Sequence, residues 1–260
     1  VMGVDITLNR HGHRNPMENR YSTANNHETL AFLGSSLTLG WGVREAETFA
    51  AQTSKRWTDQ KSSDSTAVYV NLGVAGFTVN NSISLYRAQS DLLKPNVLVL
   101  QVFPGDLFDN GMIKDSGILS RSHFWLLLQN KFATALASGG VSLETYYANL
   151  LSSKNVEILK LINNIHWIKT HSEENNISFI LLIIPDLFDF SDSGQNIHKK
   201  FEGLFSEFTD NIVDTFPALR NEFAKDPSSA WVSAEDRHPN SAAHTIISNV
   251  LHEHINKTVN

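Results

Sequence analysis

Leu30-Ala31-Phe32-Leu33-Gly34-Ser35-Ser36-Leu37-Thr38-Leu39-Gly40-Trp41-Gly42-Val43 is the stretch on which the fold turns. Leu30–Leu33 is apolar without polar alternation, as in a strand buried on both faces of a parallel sheet. A Gly-Ser-Ser turn follows and leads into a helix, so Ser36 and backbone N–H groups emerge together at a strand end. The pattern recurs downstream. Ala67–Leu72 runs into Gly73-Val74-Ala75-Gly76, and Val97–Phe103 and Ile177–Ile184 are two further apolar runs, the last closed by Pro185. Segments with helical spacing lie between and after them: Glu45–Asp59, Val79–Leu93, Val156–Ser172 and Asn240–Asn256. Strand then helix, repeated, predicts an α/β fold: a three-layer α/β/α sandwich around a central, mostly parallel sheet with right-handed crossovers. In such sheets the ligand crevice lies beyond the carboxyl ends of the strands, where the Gly-containing turns converge.

With 260 residues, 41% hydrophobic and 18% charged, the chain can bury one substantial core, and we read residues 1–260 as one domain. The stretch from Leu107 to Ser153 is too long for a structureless connection; a helical insertion or lid is expected over about 107–153. A net charge of -6 and the lack of a Lys/Arg-rich run argue against nucleic acid as a partner. With no Cys, disulfides, thiolate metal sites and cysteine nucleophiles are excluded. No apolar run approaches the roughly 20 residues of a membrane helix. The start at Val1 rather than Met is compatible with an upstream signal peptide or anchor, which tilts the expected location towards the extracytoplasmic side.

A serine hydroxyl is a poor nucleophile until a base takes its proton, a third group orients that base, and donors meet the developing oxyanion. Asp236-Arg237-His238-Pro239-Asn240 can supply the base and its orienter. In an extended segment, residues two apart face the same way, and Pro239-Asn240 marks the start of a helix. The bland alternative has Asp236 capping that helix and His238 at the surface. His244, His252 and His254 on the terminal helix read as solvated histidines rather than metal ligands.

Taken together, these blocks resemble the SGNH/GDSL hydrolase superfamily. The family opens with G-D-S-x-T-x-G-x-G, matched by Gly34–Gly42 apart from Ser35, and closes with D-x-x-H or D-x-H-P, matched by Asp236–Pro239. Its N-x-G-x-x-G turn corresponds to Asn71–Gly76, and its G-x-N-D block is approached by Phe103-Pro104-Gly105-Asp106. Asn9-Arg10-His11-Gly12-His13-Arg14 resembles the N-x-x-G-x-R lead-in of one branch. The resemblance implies a flavodoxin-like SGNH-hydrolase fold with Ser36 as nucleophile, His238 as general base and acid, and Asp236 as orienting carboxylate. The N–H groups of Ser36 and Gly76 would be oxyanion donors. Trp41, Phe77 and Asn110 are candidates for the substrate pocket. The chemistry implied needs neither a metal nor an organic cofactor.

Two positions depart from the family. Ser35 replaces the Asp that braces the nucleophile turn, although a hydroxyl keeps one such hydrogen bond. Gly105 stands where the family has the Asn whose amide serves the oxyanion, and losing one such donor costs on the order of 10²–10³ in rate. Asn110, Asn80, Asn81 or the Gly105 N–H are the candidate substitutes, although the three Asn read more readily as loop or helix-surface residues. Asp106 reads as a structural hydrogen-bond acceptor. The leading function is a serine ester hydrolase for small-acyl esters, acetylated carbohydrate foremost. The same acyl-enzyme would also serve an O-acyltransferase of cell-envelope glycans, and the two departures would suit a catalytically weak glycan-binding module.

Overall fold

A computed structural model describes residues 3–14, 27–60, 66–107 and 156–259. Five parallel strands form the sheet: β1 (His27–Gly34), β2 (Thr66–Gly73), β3 (Val97–Val102), β4 (Ser178–Ile183) and β5 (Ile212–Asp214), in the order β2-β1-β3-β4-β5. This is the flavodoxin-like doubly wound order, which places a ligand crevice at the carboxyl ends of β1 and β3, where the winding reverses. The helices among the described residues are α1 (Ser36–Leu39), α2 (Phe49–Asp59), α3 (Val79–Leu93), α4 (Val156–Glu174), α5 (Asp192–Ser206), α6 (Phe216–Phe223) and α7 (Ser241–Thr258). A short antiparallel hairpin, β6 (Trp231–Ser233) and β7 (Asp236–Pro239), precedes α7.

Alternate residues of each strand feed two cores. Leu30, Phe32, Val97, Val99, Ile180 and Leu182 face α2, α6 and α7, whereas Ala31, Leu33, Leu98, Leu100, Phe179 and Leu181 face α3, α4 and α5. The sheet is therefore the middle layer of an α/β/α sandwich. Strands covered on both faces have no use for polar alternation, and β3 is buried along its whole length.

The helical expectation for Glu45–Asp59 is corrected at its start. Glu45–Glu47 is a 3-10 turn, and Thr48, extended and accepting the Ala51 N–H on its hydroxyl, caps α2. At the other end of the chain, Asn240 caps α7 and lies outside it. Leu107 is described and buried, but the rest of the insertion expected over 107–153 lies outside the described residues.

Candidate active site

Ser36 opens α1, a helix so short that its peptide groups need help from outside. Its C-terminal carbonyls are held by two buried side chains. Asn71 donates from its amide to the Thr38 carbonyl at 2.8 Å; Arg14 donates to the carbonyls of Leu39 (2.7 Å), Gly40 (2.5 Å) and Val43 (2.7 Å). Arg14 is 1% exposed, so the lead-in segment is a structural clamp on the turn that presents Ser36.

The β6–β7 hairpin carries the other two groups to the same sheet edge. His238 Nε2 lies 2.8 Å from Ser36 Oγ, and His238 Nδ1 lies 2.5 Å from Asp236 Oδ1. Asp236 Oδ1 also accepts the His238 backbone N–H at 3.1 Å, while its Oδ2 accepts the Trp41 indole N–H at 3.0 Å. The two ionisable side chains are about four-fifths buried, at 22% and 21% exposure. Burial alone would raise the Asp236 pKa. The hydrogen bonds and charge attraction of His238, helped by Trp41, outweigh it and hold the carboxyl below its ordinary value. A carboxylate that stays ionised accepts from His238 Nδ1 and so keeps Nε2 turned, unprotonated, towards the Ser36 hydroxyl. The alternative in which Asp236 caps α7 does not hold: Asn240 takes that place, accepting the N–H groups of Ala242 and Ala243.

Trp41 was expected to line a substrate pocket. The structure places its indole against the Asp–His pair, hydrogen-bonded to Asp236 with its ring centroid 5.7 Å from that of His238. Position gave no hint of this bond, because 195 residues separate its two ends. Gly76 sits in an exposed turn at φ 80°, a conformation that only Gly adopts freely. Among the described residues, neither the Gly76 N–H nor the Ser36 N–H donates to the protein. Phe77, half-buried, follows that turn and belongs to neither core.

Gly105 has a physical reason to be Gly. A Cβ there would stand 2.4 Å from the Phe103 ring, so a side chain starts at this position only if Phe103 moves. Its N–H donates to nothing among the described residues. Asn80 points elsewhere: it is 3% exposed and its Oδ1 accepts from Asn164 of α4 at 2.8 Å. Asn81 is exposed on the first turn of α3, and Asn110 lies outside the described residues. Asp106 is an acceptor, as expected, for the Gln101 amide at 3.1 Å. The reading of His244 as solvated is corrected. It is fully buried, stacked on Phe49, and accepts the Phe49 N–H on Nδ1 at 3.1 Å. Among the described residues, no three His, Asp or Glu side chains are grouped to hold a metal ion.

No protein-family model and no curated protein sequence matches the chain. Solved structures do. A two-domain esterase active on acetylated mannans is 17% identical, with a TM-score of 0.54 over 90% of this chain and 50% of that one; the chain thus spans half the length of that relative. An acetylxylan esterase from Geobacillus stearothermophilus is 14% identical over 90% of this chain and 96% of that one, with a TM-score of 0.54. A lipase from a goat rumen metagenome is 14% identical over 87% and 97%, with a TM-score of 0.59. At such identities the likeness is one of fold.

Proposed function

We propose that this chain, which has the SGNH-hydrolase fold, is a serine ester hydrolase working through an acyl-enzyme, with acetyl esters of carbohydrates as its substrate class. The observation that carries the reading is the unbroken hydrogen-bonded line from Ser36 Oγ through His238 to Asp236 and on to Trp41, set at the carboxyl end of the sheet. A structural role would not require a hydroxyl, an imidazole and an ionised carboxylate in that order. The substrate class is supported by the neighbours that act on acetylated mannans and acetyl-xylooligosaccharides.

In this reading the Ser36 oxygen attacks the ester carbonyl as His238 Nε2 takes its proton. The imidazolium is stabilised by Asp236, which keeps its charge and stays unprotonated. The carbonyl electrons move to oxygen, and the N–H groups of Ser36 and Gly76, with Gly105 as a third candidate donor, meet the resulting anion. Collapse expels the alcohol, which leaves with the proton from His238. Water then attacks the acyl-Ser36 ester with His238 again as base, and the acid departs as Ser36 recovers its proton.

The test is hydrolysis of p-nitrophenyl acetate and butyrate by the chain beside Ser36→Ala and His238→Ala, each checked for folding by circular dichroism. The reading expects activity in the parent and at least a 10³-fold loss in both folded variants, with acetate preferred over butyrate. Equal turnover by Ser36→Ala and the parent would refute it.

A further inference from the structure

Beneath Ser36 lies a second polar cluster that the chemistry above does not use. Gln101 on β3 is 1% exposed. Its carbonyl oxygen accepts from the Ser35 N–H at 3.1 Å and the Thr38 hydroxyl at 3.0 Å, and lies 3.3 Å from Ser35 Oγ. Its amide nitrogen donates to Asp106 Oδ2 at 3.1 Å. The backbone that carries Ser36 thus hangs on Gln101, and Gln101 hangs on Asp106. The cluster leaves no slack: a Cβ on Gly34 would stand 2.2 Å from Thr38 Oγ1 and 2.3 Å from Gln101 Oε1.

We propose that Asp106 is a positioning residue for Ser36: from the loop after β3 its carboxyl group holds the Gln101 amide, and through Gln101 it fixes the nucleophile turn, in which position 35 has no carboxylate of its own. The same residue ends the Pro104–Asp106 turn, so it ties the turn of Ser36 to the loop of Gly105 and sets two candidate walls of the oxyanion site against each other. The inference rests on Ser36 being the nucleophile. Three kinds of group face Asp106: the donors Ser35 and Gln101, His238 of β7, and Asp186 after β4. Burial and Asp186 favour the neutral acid. The donors and His238 favour the anion, and burial prevails.

The experiment follows covalent labelling of Ser36 by a fluorophosphonate probe, read as a rate constant by intact mass, which needs no knowledge of the natural ester. In folded Asp106→Ala the rate should fall by about 10- to 100-fold, the scale of a misplaced reacting group. Ser35→Asp added to Asp106→Ala returns a carboxylate to the cluster and should recover at least about fivefold of that loss, on the same scale. Labelling of Asp106→Ala within twofold of the parent, or no recovery in the folded double variant, overturns the proposal. Should Asp106→Ala fail to fold, Gln101→Met breaks the bridge between the two turns while leaving Asp106 in place, and its labelling rate should fall by about 10-fold; a rate within twofold of the parent in the folded variant overturns the proposal. A parent chain that does not label at all sinks the ester-hydrolase reading itself, an outcome distinct from any difference between variants.

Discussion

His244 and Asp106 should pull the pH dependence of stability in opposite directions, and removing either should expose the other. Burial, reinforced by the nearby Arg14 and His238, pushes the His244 imidazole down from 6.5 to about 3. Protonating it would also forfeit the bond from the Phe49 N–H. As pH falls through 6.5 the unfolded chain takes up this proton first, so His244 costs stability at acid pH. Burial pushes the Asp106 carboxyl up from 3.8 to about 7. Here the folded chain takes up the proton first, so Asp106 adds stability as pH falls through 7. Each mismatch is worth about 1.4 kcal/mol per pH unit while only one state is protonated. Between pH 7 and pH 5 that comes to about 2 kcal/mol for each group with opposite sign, and in the parent chain the two nearly cancel. Urea unfolding at half-unit pH steps, taken as variant minus parent, separates them. Asp106→Asn should lose about 2 kcal/mol relative to the parent over that interval, and His244→Gln should gain about as much. Variant curves parallel to the parent's between pH 7 and pH 5 would refute the burial of both groups as the source of their shifts.

Arg14→Met keeps an apolar stem but removes three charge-assisted hydrogen bonds to the carbonyls of Leu39, Gly40 and Val43. Each such bond is worth about 1.5–3 kcal/mol, and relief of a buried guanidinium returns part of the sum. A net loss of about 3 kcal/mol is expected as a lowered urea midpoint at unchanged slope; a loss under about 1 kcal/mol would mean that water replaces Arg14 at those carbonyls. Trp41→Phe retains a ring beside His238 and removes the donor to Asp236 Oδ2, at a half-buried site. The expected fall in kcat for p-nitrophenyl acetate is about 5- to 30-fold with little change in KM, corresponding to about 1–2 kcal/mol; an unchanged kcat would show that His238 alone orients the carboxylate.

The central strands were legible because burial on both faces removes any reason for polar alternation, leaving runs such as Val97–Val102 conspicuous. The short elements between Asp192 and Ser233 were not. The α5 segment contains Gly194 and Gly203 and begins with Asp-Ser-Gly-Gln-Asn, of which only Gln is a good helix former, and it is held by Phe201 and Phe205 packed against the sheet. Strands β5 and β6 span only three residues each, below the length at which any periodicity can be read. Tertiary contact decides these elements, and propensity does not.

The candidate site divides along the same line. Ser36, Asp236 and His238 were readable because each chemical role restricts residue type at a fixed local spacing: a turn after a strand, and two positions on one side of an extended segment. Arg14 stood out only through the lead-in resemblance and Trp41 only as a pocket candidate, and Gln101 not at all, because all three act over long separations through bonds that many residue types could make. The two departures show the consequence. At position 105 the obstacle is steric, since the Phe103 ring fills the space in which a side chain would begin. At position 35 the brace that remains is the Gln101 bridge from the Ser35 N–H to Asp106, the Asp that the G-x-N-D block still carries. A motif records which residue stands at one place, whereas the fold requires only that the turn be held, and a carboxyl group already present in another loop reaches it through that bridge.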